Sequence, residues 1–185
     1  LAATIPNCKA YDPAFAGDCK AAAEHLASAV LINRTDADAL YLLGKALIES
    51  GDAKSGIDAL HLAVALVPTG WCDPYSELAN AYTAQKDTAG VTYANGMVAM
   101  CQQRYAEAKT QLTAASSGKH ALGAFIGLGL LAEEQGDYTA AGDAYAKALA
   151  KAGRPDDARK ELLALQAVAD EFPGKSEIPA LLKGL

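Results

Sequence analysis

Three histidines, four cysteines and a pair of adjacent glutamates carry most of the chemical potential of this chain. His25, His61 and His120 lie far apart, and none has a second His or Cys three or four positions away to complete a ligand pair. Each therefore reads as a surface or groove histidine, not a metal ligand. Cys8, Cys19, Cys72 and Cys101 form no CxxC or CxxCH and have no His at zinc spacing. Glu133 and Glu134 are neighbours on a helical pattern, so they point to different sides and do not make a paired acid and base. Ser116-Ser117 lacks the GxSxG elbow of a nucleophilic serine and reads as linker. Gly123, Gly127 and Gly129 imitate a phosphate loop in number only, because they follow no strand and sit at helix-packing positions. Met97 and Met100 read as core filler. The expectation is no catalytic residue, no metal and no cofactor.

Composition points the same way. The chain has 185 residues, within the range of one domain and enough for a continuous core. Apolar residues reach 51% but aromatics only 6%, an alanine-rich balance that favours close-packed helices. A net charge of −6 without a basic cluster argues against a nucleic-acid or anionic-membrane surface. No apolar run approaches the length of a membrane span, so no direct membrane insertion is expected of this segment. The chain begins at Leu1-Ala2-Ala3, which suggests processing or trimming, with any signal peptide or anchor lying upstream.

The clearest element runs from Ala37 to Pro68. Leu40, Leu43 and Leu47 recur at helical spacing, as do Ile57, Leu60, Ala63 and Val64, with Ser50-Gly51-Asp52 breaking the period and Pro68 closing it. That pattern predicts a helical hairpin. Neither helix is long enough to stand alone in water, so each must bury its stripe on its partner and on neighbouring hairpins. Gly44, Gly56 and Ala63 are small where two backbones must approach closely.

This hairpin resembles the tetratricopeptide repeat, whose signature falls on Leu40, Leu43-Gly44 and Leu47 of the first helix, on Gly56, Leu60 and Ala63 of the second, and on Pro68. The family often has Trp at the place of Leu40, Tyr at Leu47 and usually Ala at Gly56. Gly17-Asp18 precedes Gly51-Asp52 by 34 residues, one family period, and Ala22, Leu26 and Ala29 follow it as small, large and small. A second strong repeat, about 122–151, carries Phe125, Leu128-Gly129, Gly136-Asp137-Tyr138, Ala141, Tyr145 and Ala148-Leu149. Gly136 lies 85 residues beyond Gly51, two and a half periods, which places one irregular half-repeat near 87–104.

The resemblance implies an all-α, right-handed α-solenoid of helical hairpins with about nine or ten helices in one domain, 1–185. Its expected parts are a degenerate repeat at 1–36, a strong repeat at 37–70, irregular repeats at 71–118, a second strong repeat at 119–152 and capping helices at 153–185. In the irregular part, residues 88–102 read either as a weak second helix or as another first helix around Gly96. Asp73-Pro74 is a good helix start. If 73–86 and 88–101 form a hairpin, Cys72 and Cys101 come to the same end of it. Two local disulfides, Cys8 with Cys19 and Cys72 with Cys101, and four free thiols both remain open. Disulfides would place the chain outside the cytoplasm, in the periplasm or at the cell surface; free thiols leave a cytoplasmic location as the alternative.

In this family the first helix of each repeat lines a concave groove that takes an extended or helical peptide. Carried over residue by residue, the resemblance implies groove positions at Asp38, Tyr41, Lys45, Ile48 and Glu49, at Asp73, Ser76, Asn80 and Thr83, and at Gly123, Ile126, Leu130 and Glu133. Tyr41, Lys45 and Asn80 mix aromatic area with hydrogen-bond donors. The several-cation clamp of chaperone-binding members is absent, with only Lys45 and Asn80 as candidates. The expected function is a non-catalytic scaffold or adaptor for a protein or peptide partner. By analogy with bacterial relatives, it would serve assembly of an envelope, pilus, secretion or respiratory complex. The alternative is a self-associating array forming a homo-oligomeric platform, with Gly90–Gly96 as its contact face.

Overall fold

The computed structural model describes residues 16–167, 176 and 178–183. Among these residues it contains ten α-helices and no strand. They are α1 (Ala16–Ile32), α2 (Ala37–Glu49), α3 (Ala53–Leu66), α4 (Asp73–Ala84), α5 (Thr88–Cys101), α6 (Tyr105–Ala115), α7 (Ala121–Glu134), α8 (Tyr138–Lys151), α9 (Pro155–Gln166) and the short α10 (Ile178–Lys183). The fold is all-α and built from consecutive packed helix pairs, as expected. Cys8 lies outside the described residues, as does part of the expected 153–185 cap.

Helix boundaries follow from local chemistry. Asp36, Asp52, Asp87 and Asp137 each place a carboxylate on a backbone N–H at the start of the next helix, at Ala39, Ser55, Gly90 and Ala140, over 2.9–3.1 Å. Helices α2, α5 and α7 end in the same tight turn. Asp52, Arg104 and Asp137 donate their N–H back to Leu47, Ala99 and Ala132, five residues earlier. Such a turn needs one residue in the left-handed region. Gly51 and Gly136 supply it at φ +99° and +73°, whereas Lys86 after α4 and Gln103 after α5 take φ +58° and +59° with side chains. The two side-chain-bearing turns bracket α5 and coincide with the interruption of the repeat grammar near 87–104.

The chain forms two compact units, divided between Lys86 and Asp87. In the first, α2 and α3 cross at Gly44 and Gly56. A Cβ on Gly56 would meet the Gly44 carbonyl oxygen at 2.7 Å and Ile48 Cγ1 at 2.6 Å. Leu60, fully buried, fills the space that Gly44 leaves. Helix α1 covers the pair through Ala22, Ala23 and Leu26 against Leu43, Ala46 and Ala59. Helix α4 closes the other side: Tyr75 donates to the Pro68 carbonyl at 2.9 Å, and Tyr82 shares a 2.7 Å hydrogen bond with His61 of α3.

In the second unit, α5 packs with α6 as a hairpin, so α5 takes the first-helix role that the sequence left open. Leu112 of α6 is fully buried against Gly96 of α5 and Gly127 of α7. Gly123 makes room for the ring of Tyr93, and Gly129 for the ring of Tyr145. These α7 glycines are therefore packing residues. The Gly90–Gly96 stretch does not offer an open contact face at its glycines: both are buried, and Gly96 is covered by α6. Helices α8 and α9 pack together, and Ile178 of α10 is fully buried.

Candidate functional site

The first unit turns the outer sides of α2 and α4 toward solvent as one face. Along α2 the side chains Asp38, Tyr41, Lys45 and Glu49 succeed one another at three- and four-residue steps, which puts them on one stripe. Asp38 is exposed and the other three are half-buried. Across from them, the Trp71 ring meets Tyr41 edge-on with centroids 5.1 Å apart. Lys45 Nζ stands 5.5 Å from the centre of the Tyr41 ring and 3.2 Å from a Glu77 carboxylate oxygen on α4. An ammonium held between a π face and a carboxylate is a favourable arrangement at a partly desolvated surface.

The electrostatics of the face follow from that geometry. Burial works against the Lys45 charge, but Glu77 and Tyr41 outweigh it and raise its pKa. Burial pushes the Tyr41 hydroxyl up; Lys45 opposes this, while Glu77 and Asp73 add to it. Burial also raises Glu49, with Lys45 opposing and Glu77 reinforcing. The raised values of Tyr41 and Glu49 report burial first, and Lys45 is the largest charge effect on each.

The remaining expected positions divide. Asn80 and Thr83 are exposed on α4, with the Thr83 hydroxyl bonded to the Ala79 carbonyl; Ser76 is half-buried and bonds the Cys72 carbonyl. Ile48 packs against Gly56 of α3 and contributes to the α2–α3 crossing. In the second unit, Ile126 is exposed on α7, Leu130 is half-buried, and Glu133 accepts a hydrogen bond from Tyr145 at 3.0 Å.

Trp71 and Glu77 were not among the expected positions. Trp71 sits in the turn before α4, where no helical spacing marks it; its signal is that it is the chain's only tryptophan. Glu77 stands four residues after Asp73, an i,i+4 relation that places both on one side of α4.

His25 is exposed on α1, but the other two histidines are not isolated surface groups. His61 joins Tyr82, and His120 bonds Asp87 at 2.8 Å while stacking on Tyr93 with ring centres 6.0 Å apart. Lys119 also reaches Asp87 at 2.8 Å. Burial resists ionisation of Asp87, yet hydrogen bonds from Lys119, His120 and the Gly90 N–H prevail and hold its pKa at about 2. This cluster pins the start of α5 to the turn before α7, a structural task. Among the described residues no group of three or more His, Cys, Asp or Glu is placed to hold a metal ion. Among them, too, no helix is long and apolar enough to cross a membrane. Cys19, Cys72 and Cys101 are disulfide-bonded.

The family model for the tetratricopeptide repeat matches residues 10–70 and 93–152, more than half of the chain. The chain belongs to the tetratricopeptide repeat family. The first match covers α1 to α3, and the second opens inside α5 and runs to the end of α8, in keeping with α5 as the first helix of its hairpin. A comparison with the curated proteins finds no match. Tetratricopeptide repeats are in general protein-interaction scaffolds without catalytic function.

Proposed function

We propose that this tetratricopeptide protein is a non-catalytic adaptor that captures a peptide or helical segment of a partner on the α2/α4 face. The observation that carries this reading is the half-exposed Tyr41–Trp71 pair beside the Lys45–Glu77 bridge. Rigid aromatic area with charged groups at its edge is the composition of a recognition surface. Asp38, Glu49, Asn80 and Thr83 extend it along the two helices. In the second unit, Ile126 and Leu130 offer an apolar contact with Glu133 beside it. The disulfide-bonded cysteines support an extracytoplasmic location and a role in assembling an envelope, pilus, secretion or respiratory complex.

The pairing that fits this reading is Cys8 with Cys19 and Cys72 with Cys101. Peptide mapping of the unreduced protein checks it, and four titratable thiols under denaturing, non-reducing conditions would remove the extracytoplasmic argument. The groove reading is tested by Tyr41→Ala combined with Asn80→Ala. Capture of the native partner is expected to fall by about tenfold or more, and undiminished capture refutes the assignment. Self-association is the second reading, favoured by Leu31 and Ile32, 71% and 90% exposed at the end of α1. Sedimentation of the isolated chain separates the two readings.

A further inference from the structure

On the reading of the α2/α4 face as a partner-binding surface, we propose that the segment it selects is basic. An arginine or lysine of the partner would pack on the Tyr41 and Trp71 rings with Asp38, Asp73 and Glu77 around it.

The argument is one of charge complementarity. The face carries four carboxylates, Asp38, Glu49, Asp73 and Glu77, and one ammonium, Lys45. That ammonium is already engaged with Glu77 at 3.2 Å and with the Tyr41 ring at 5.5 Å. It also displays within the chain the chemistry a ligand cation would use: a π face on one side and a carboxylate on the other. An acidic segment would find a single, occupied cation and several uncompensated carboxylates. A neutral apolar segment would leave those carboxylates desolvated without partners.

The asymmetry is local and does not merely repeat the acidity of the whole chain. On α3, across the same unit, Lys54 and Asp58 pair with each other at 3.0 Å and cancel. The α2/α4 face instead carries four carboxylates against the single Lys45 ammonium. A docked guanidinium or ammonium relieves that excess, which is the differential interaction selectivity requires.

Trp71 is the chain's only tryptophan, so its emission reports on this face directly. The test titrates the full chain with three Trp-free amphipathic peptides of about 15 residues, alike except that their polar positions are all Lys, all Gln or all Glu. The Lys peptide is expected to shift Trp71 emission saturably, with an affinity about tenfold above the Gln peptide and no saturable shift with the Glu peptide. Its affinity should fall several-fold between about 50 and 200 mM salt. The nearly isosteric variant Asp38→Asn/Asp73→Asn/Glu77→Gln should weaken it about tenfold while retaining the helical circular dichroism. A Glu peptide that binds as well as the Lys peptide overturns the proposal, as does a Lys-peptide affinity indifferent to both salt and the amide variant.

The native partner separates this inference from the reading beneath it. If Tyr41→Ala/Asn80→Ala abolishes capture and the amide variant captures normally, the basic-partner inference fails and the groove stands. If Tyr41→Ala/Asn80→Ala leaves capture intact, both fall.

Discussion

The family usually places alanine where this chain has Gly56, so a consensus argument says that Gly56→Ala should stabilise the protein. Replacing a helical glycine by alanine is worth about 1 kcal/mol in backbone propensity. The packing argues the reverse. An alanine Cβ at this position would lie 2.6 Å from Ile48 Cγ1 and 2.7 Å from the Gly44 carbonyl oxygen. Ordinary carbon contacts begin near ~3.5 Å. Ile48 can yield by a rotamer change, but a backbone carbonyl yields only if α2 and α3 move apart, which also loosens Leu60 beneath Gly44. Overpacking of this kind costs ~2–3 kcal/mol, leaving a net loss of ~1–2 kcal/mol. For a chain of this size the melting temperature should drop by ~3–6 °C. Trp71 lies in the same unit as this crossing, so its fluorescence during urea unfolding follows the affected part. The control is Gly118→Ala, where a Cβ meets nothing within 4 Å and a change within about 0.5 kcal/mol is expected. A Gly56→Ala midpoint equal to or above the parent's would refute the close-crossing argument.

Two further outcomes follow from the turns and caps. Lys86→Gly should stabilise the chain by ~0.5–1 kcal/mol, because Lys86 holds φ +58° at a cost glycine does not incur; an unchanged or lower urea midpoint would contradict this. Asp87, held at a pKa of about 2 and well below its unfolded value, contributes stability that is present above pH ~4 and fades as the pH falls toward 2. After allowance for nearby solvent, that contribution is ~1–2 kcal/mol, and Asp87→Asn should flatten this limb of stability against pH; an identical acid limb in the variant would remove Asp87 from the account.

The hairpin from Ala37 to Pro68 was legible because its signals are local. Small residues mark the crossing, leucines mark the stripe, and Ser50-Gly51-Asp52 and Pro68 mark the breaks, all within a few positions of what they control. The role of α5 was not legible, since the turns on either side of it use Lys86 and Gln103 where the repeat grammar uses glycine. A side chain forced to positive φ leaves no trace in composition. The bonding of His61 to Tyr82 and of His120 to Asp87 spans 21 and 33 residues, and no periodicity links partners so far apart. The α2 side of the candidate face came from the contact positions that the family resemblance implies. Trp71 did not, because it acts from a turn, and Glu77 escaped because the family's contact positions fall on its neighbour Ser76.

The account rests on the α2/α4 face being where the partner lies, and site-specific photo-crosslinking in the source cell tests this most directly. A benzophenone amino acid is placed either at Asn80, exposed on α4, or at Tyr138, 55% exposed at the start of α8. The account predicts a discrete partner adduct from position 80 and none from position 138. An adduct from position 138 with none from position 80 would contradict it.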